Sequence, residues 1–74
     1  MNVHIEYCER WNYKPEFDRV SNIMNSLNYN IKIEGNTAEP RTGSFEVEIN
    51  GKLVFSRFKT ERFPNNNEIL GWFN

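Results

Sequence analysis

Cys8 is the only cysteine in the chain, and the residues around it are of types that act on a thiol. In the stretch from Val3 to Lys14, Arg10 and Lys14 supply positive charge that favours a thiolate, while Glu6 and Glu9 oppose it. Tyr7, Trp11 and Tyr13 supply rings to shape the mouth of such a site. The chemistry open to the group is thiol–disulfide exchange, in which a thiolate attacks one sulfur of a disulfide and displaces the other. The competing reading is structural, because cysteine is among the most buried residue types and packs as a small hydrophobe. Val3, Ile5 and Tyr7 alternate with His4 and Glu6, the pattern of a strand with one buried face. Tyr7 belongs to that face, so Cys8 is expected to leave it and present a reactive thiol. His4 falls on the polar face, and one histidine with one cysteine gives no metal-ligand spacing; no metal site is expected.

The elements that must hold Cys8 follow in order. Phe17, Val20, Ile23, Met24 and Leu27 recur at spacings of three and four and predict a helix. Asn12 is its expected cap, Tyr13 to Pro15 its first turn, and Glu16 and Asp18 place negative charge near its positive end. Cys8 therefore sits between a strand's carboxyl end and a helix's amino end, where α/β folds place reactive groups. Tyr29, Ile31 and Ile33 predict a second strand, parallel to the first through a right-handed crossover. Residues 35–43 read as a loop bordering the site. Phe45 to Ile49 and Lys52 to Phe58 predict a hairpin turned by Asn50-Gly51, whose residues accept the positive φ angles of a type I′ turn. Lys59 to Pro64 reads as a polar connection. Asn65 to Asn67 offer caps for a short closing helix carrying Ile69, Leu70, Trp72 and Phe73. The order β-α-β-β-β-α gives an α/β fold with a thioredoxin-like layout, a four-stranded mixed sheet of order 2-1-3-4 and two helices, as one domain over 1–74.

Composition narrows the function classes. A net charge of −1 with both signs interspersed argues against a dedicated nucleic-acid binder. Lys52, Arg57, Lys59 and Arg62 interleave with Phe55, Phe58 and Phe63, but charges on an outer strand also guard against edge-to-edge pairing, and the phenylalanines mostly suit the core. No apolar run approaches a membrane span and no signal peptide is read at the N-terminus, so a cytoplasmic protein is expected. A single cysteine, unable to staple a secreted fold internally, points the same way. A chain this short buries only roughly 60–65% of its unfolded surface, and its core supplies about 3–5 kcal/mol.

Four stretches carry a resemblance to a known family. Tyr7-Cys8 followed by Tyr13-Lys14 resembles the Tyr-Cys-x-x-Cys/selenocysteine-x-Tyr-Lys signature of the selenoprotein W-like, or Rdx, proteins, which are small and thioredoxin-like. Thr42 to Val47 resembles that family's Gly-x-Phe-Glu-Val strand opening, Asn50 to Leu53 its hairpin turn, and Phe63-Pro64 the entry to its last helix. The resemblance spans nearly the whole chain. It places the family's second redox residue at Trp11, which has no sulfur to attack or resolve a disulfide. A tryptophan codon is one base from cysteine codons and from UGA, also read as selenocysteine; the gene's codon at position 11 decides whether this tryptophan is native.

The resemblance implies thiol-redox or redox-sensing work with Cys8 as nucleophile, Tyr7, Arg10, Tyr13, Lys14 and Thr42 around it, and no bound cofactor. With one thiol, the expected chemistry is a mixed disulfide with glutathione, cleared by a second glutathione, or exchange with a partner protein's cysteine. The chain would then be a monomer or a dimer linked through Cys8. The alternative is a non-enzymatic interaction module of the same fold, presenting Trp11 and the 35–43 loop to another protein.

Overall fold

Asn2–Tyr7 forms strand β1, which lies inside the sheet because Val3 and Ile5 lose nearly all contact with solvent. The computed structural model describes residues 1–27 and 30–74. Helix α1, Lys14–Asn25, carries Pro15 in its first turn, where its missing N–H costs no hydrogen bond, and buries Val20 and Met24. Strand β2, Lys32–Glu34, pairs parallel to β1, with Val3 opposite Ile33. The predicted second strand held Tyr29, which lies outside the described residues.

Strand β3, Phe45–Ile49, runs antiparallel on the other side of β1, with Tyr7 opposite Phe45 and Ile5 opposite Val47. Asn50 (φ 51°) and Gly51 (φ 82°) both take positive φ, as the type I′ turn requires, and lead into β4, Lys52–Ser56. The sheet order is β2-β1-β3-β4, the mixed arrangement read from the sequence.

Several expectations are corrected. The fourth strand stops at Ser56 rather than Phe58, because Arg57–Thr60 forms a single helical turn, α2, making three helices among the described residues instead of two. The turn is capped from the sheet: Ser56 Oγ accepts the Lys59 N–H at 3.3 Å, and the buried Glu46 carboxylate accepts the Arg57 N–H at 2.8 Å. Phe58 consequently leaves the core and is 46% exposed. Asn12 does not cap α1; it takes φ 56° as part of a turn, and Tyr13 holds the cap position without a side-chain bond.

Helix α3, Asn66–Gly71, closes the core by burying Ile69, with Phe73 beyond it. Asn65 caps it reciprocally: its side chain accepts the Glu68 N–H at 2.8 Å and the Glu68 carboxylate accepts the Asn65 N–H at 3.0 Å. Arg62 pairs with the same carboxylate through its two terminal guanidinium nitrogens, at 2.5 and 2.9 Å. The Arg62 guanidinium, with the Asn65 N–H, holds Glu68 down to about 2. A depressed carboxyl pKa gives stability that is present above its unfolded value near 4.3 and lost as pH falls through the folded value. The melting temperature followed by circular dichroism is therefore expected to fall between about pH 4 and about 2, and Glu68→Gln to flatten that decline. An equal decline in the variant would remove Glu68 as its source.

Candidate functional site

Cys8 follows directly on β1, and hydrogen bonds fix it from two sides. Its N–H donates to the Ser44 carbonyl and its own carbonyl accepts the Tyr13 N–H, both at 2.9 Å, which closes residues 8–13 into a loop. Inside the loop the Asn12 N–H reaches the Glu9 carbonyl at 3.0 Å, and the Trp11 N–H donates to Cys8 Sγ at 3.4 Å. Hydrogen bonds that involve an ionised partner are the strong ones, so this contact tightens when the sulfur carries charge.

A second loop, 35–43, is pinned against the same strand end. The Asn36 side chain exchanges two bonds with the Tyr7 backbone, both 2.9 Å, as a neighbouring strand would beyond the end of β2. Arg41 pairs with Glu6 at 2.7 Å, and its N–H adds a 2.8 Å bond to the same carboxylate. The Arg41 guanidinium holds the Glu6 carboxyl below the usual carboxylate range. Gly43 takes φ 80°, and a Cβ there would stand 2.9 Å from Trp11 Cζ3. The indole thus rests on the glycine, which both the angle and the contact require.

Between the loops lies a hollow of about 210 Å³ lined by Cys8, Glu9, Arg10, Glu39, Pro40 and Thr42. Larger hollows of about 290 and 370 Å³ on the sheet do not reach Cys8 and contain no cysteine. Behind the site, rings meet edge to face from Trp11 to Tyr13 (6.2 Å), Tyr13 to Phe63 (4.8 Å) and Phe63 to Phe45 (5.4 Å). The Arg57 guanidinium lies over both Tyr13 and Phe63, at 5.1 and 5.2 Å, and braces the residue that closes the Cys8 loop.

The expected site residues are only partly brought together. Cys8, Arg10 and Thr42 share the hollow, Trp11 and Tyr13 build the loop around it, and Tyr7 packs against Phe17 at 4.7 Å. Lys14 is committed elsewhere: its ammonium pairs with Asp18 at 2.7 Å, which raises its pKa, and lies over the Phe17 ring. Cys8 itself is 1% exposed, against the expectation that it leaves the buried face. Strand alternation ends at Tyr7; the bond to Ser44 then holds position 8 inward, where Glu39, Pro40 and Thr42 share its hollow. Asn36, Glu39, Pro40, Arg41 and Ser44 were not singled out in the sequence. Their contacts with Cys8 and its neighbours cross 29 or more residues of chain; the loop-like composition of 35–43 hinted at the first four, and Ser44 fell within the Thr42 to Val47 stretch. Among the described residues, no three His, Cys, Asp or Glu side chains gather where a metal could be held.

The Rdx family model matches residues 2–71. Zebrafish (Danio rerio) selenoprotein W is 32% identical over 71 residues, covering 95% of this chain and 83% of that protein. Bovine (Bos taurus) migration and invasion enhancer 1 is 30% identical over 70 residues, covering 95% of this chain and 59% of the relative. The chain thus spans about three fifths of the length of the bovine relative. A selenoprotein W-related protein from Vibrio cholerae superposes with a TM-score of 0.74 at 20% identity, covering 99% of this chain and 96% of that one. A Bordetella parapertussis protein gives a TM-score of 0.77 at 17% identity, covering 92% and 86%. These likenesses agree with the thioredoxin-like fold.

Proposed function

The chain belongs to the Rdx family, and from that premise we propose that it carries out one-thiol disulfide exchange or redox sensing through Cys8, in the cytoplasm. The observation that carries this reading is the joint placement of Cys8 at the 210 Å³ hollow and of its sulfur under the Trp11 N–H. The Cys8 thiolate attacks one sulfur of a disulfide, a Cys8 mixed disulfide forms, and the displaced thiolate takes a proton from solvent. With no second cysteine in the chain, release requires an external thiol, such as glutathione, whose thiolate attacks the partner's sulfur and frees Cys8. The disulfide attacked in the first step, glutathione disulfide or a partner protein's, is the oxidant. At 1% exposure, Cys8 reacts through local opening of the 8–13 loop.

A second reading, a protein-interaction module with an inert thiol, draws on that same burial and on Trp11, 55% exposed at the edge of the loop. One experiment separates the two. The folded protein incubated with the neutral bis(2-hydroxyethyl) disulfide is expected to gain one mixed disulfide at Cys8 by mass spectrometry, reversed by dithiothreitol and absent in Cys8→Ser. Reaction only after urea is added would sink the redox reading and leave the module.

A further inference from the structure

The charges that frame Cys8 bear on which disulfide it takes, an inference that rests on the exchange reading above. Three charged side chains line the hollow: Glu9, Arg10 and Glu39. All three are exposed, and none has a side-chain hydrogen bond or ion pair among the described residues. The other charges nearby are spent on each other, Glu6 with Arg41 and Lys14 with Asp18. The mouth is therefore left with two carboxylates against one guanidinium. Beside it stands the Trp11 indole, 55% exposed and seated on Gly43, the neighbour of the lining residue Thr42. An exposed indole face is the aromatic surface that cations favour most. Unpaired carboxylates and an indole are all receptors for positive charge, and the first of them repel anions.

We propose that Cys8 selects disulfides flanked by cations, such as a partner protein's disulfide beside lysine or arginine, over the dianionic glutathione disulfide. The electron and atom balance is that of exchange: the Cys8 sulfur bonds to the nearer sulfur of the cationic disulfide, the S–S bond breaks, and the leaving thiolate is protonated by water. The cation beside the reacting sulfur sits against Glu9 or Glu39 or over Trp11, while Arg10 holds any carboxylate the partner carries. Glutathione remains competent as the external thiol that clears the product, because its thiolate attacks the partner's sulfur, beside which the partner's own cation offsets Glu9 and Glu39.

The test compares second-order rates of folded protein with cystamine (a dication), bis(2-hydroxyethyl) disulfide (neutral) and glutathione disulfide (a dianion). Each rate is divided by that of the same chain unfolded in urea, which removes the intrinsic reactivity of the reagent. The normalised cystamine rate is expected to exceed that of glutathione disulfide roughly tenfold at low salt, and to approach it at high salt. Glu9→Gln with Glu39→Gln should abolish the preference, and Arg10→Gln should enlarge it. A normalised ratio at or below one, or a preference untouched by the double variant, overturns the proposal. Reaction with the neutral disulfide but without charge preference defeats this inference alone, whereas silence of all three reagents in the folded chain defeats the exchange reading with it.

Discussion

Trp11→Cys is expected to convert a one-thiol site into a two-thiol site. The Trp11 N–H lies 3.4 Å from Cys8 Sγ, so the backbone of position 11 already abuts the sulfur. The turn that brings it there is tight, with the Asn12 N–H on the Glu9 carbonyl at 3.0 Å. A disulfide needs Cα atoms roughly 4.4–6.8 Å apart, and the contact of the Trp11 N–H with Cys8 Sγ holds the two backbones close together, three residues apart in the chain. In the variant, oxidation should remove both thiols together without dimer formation, and a Cys8 mixed disulfide should be resolved from within the chain. Accumulation of the mixed disulfide with bis(2-hydroxyethyl) disulfide is expected to fall at least about tenfold, because a tethered thiol acts at a local concentration of about millimolar or above. Mass spectrometry with thiol counting reads both effects. If the mixed disulfide persists and two free thiols survive oxidant, the loop does not present position 11 to the sulfur.

The parts of the fold with local causes were legible in the sequence. Period-two alternation gave the cores of β1 and β3, and period 3.6 gave α1. The Asn50-Gly51 pair located the hairpin because only a few residues tolerate two successive positive φ angles. The misreadings share a different origin. Arg57 and Phe58 continue the strand-like composition of β4, but Glu46, eleven or more residues earlier in the chain, accepts their N–H groups and starts a helical turn. Cys8 was assigned outward by extending an alternation past the residue at which its strand ends. Lys14 was assigned to the thiol by proximity in sequence, yet Asp18, one helical turn on, takes its charge. Each error concerns a polar contact, two of them made between separate elements and one within a single helical turn, which apolar periodicity does not encode.

The largest loss of stability is expected from Phe45→Ala. Phe45 is wholly buried, is the bulkiest of the fully buried side chains, lies opposite Tyr7 and meets Phe63 edge to face at 5.4 Å. Truncating a buried phenylalanine costs about 3–5 kcal/mol, from lost transfer energy and the cavity left behind. A core of this size supplies only about 3–5 kcal/mol in all, so Phe45→Ala should be largely unfolded at 25 °C by circular dichroism and urea titration. A milder change connects this packing to the thiol. Phe45→Leu keeps part of the apolar volume and should cost about 1–2 kcal/mol, between a one-methylene loss and full truncation, leaving a mostly folded chain. Phe45 follows Ser44, whose carbonyl holds the Cys8 N–H, and Phe63 relays its contact to Tyr13, which closes the 8–13 loop. Loosening the ring stack should therefore raise the rate at which iodoacetamide alkylates Cys8 in the folded protein. The rate in urea should stay unchanged. If the leucine variant unfolds at a lower urea concentration but alkylates at the original rate, the packing behind the loop does not control access to the sulfur.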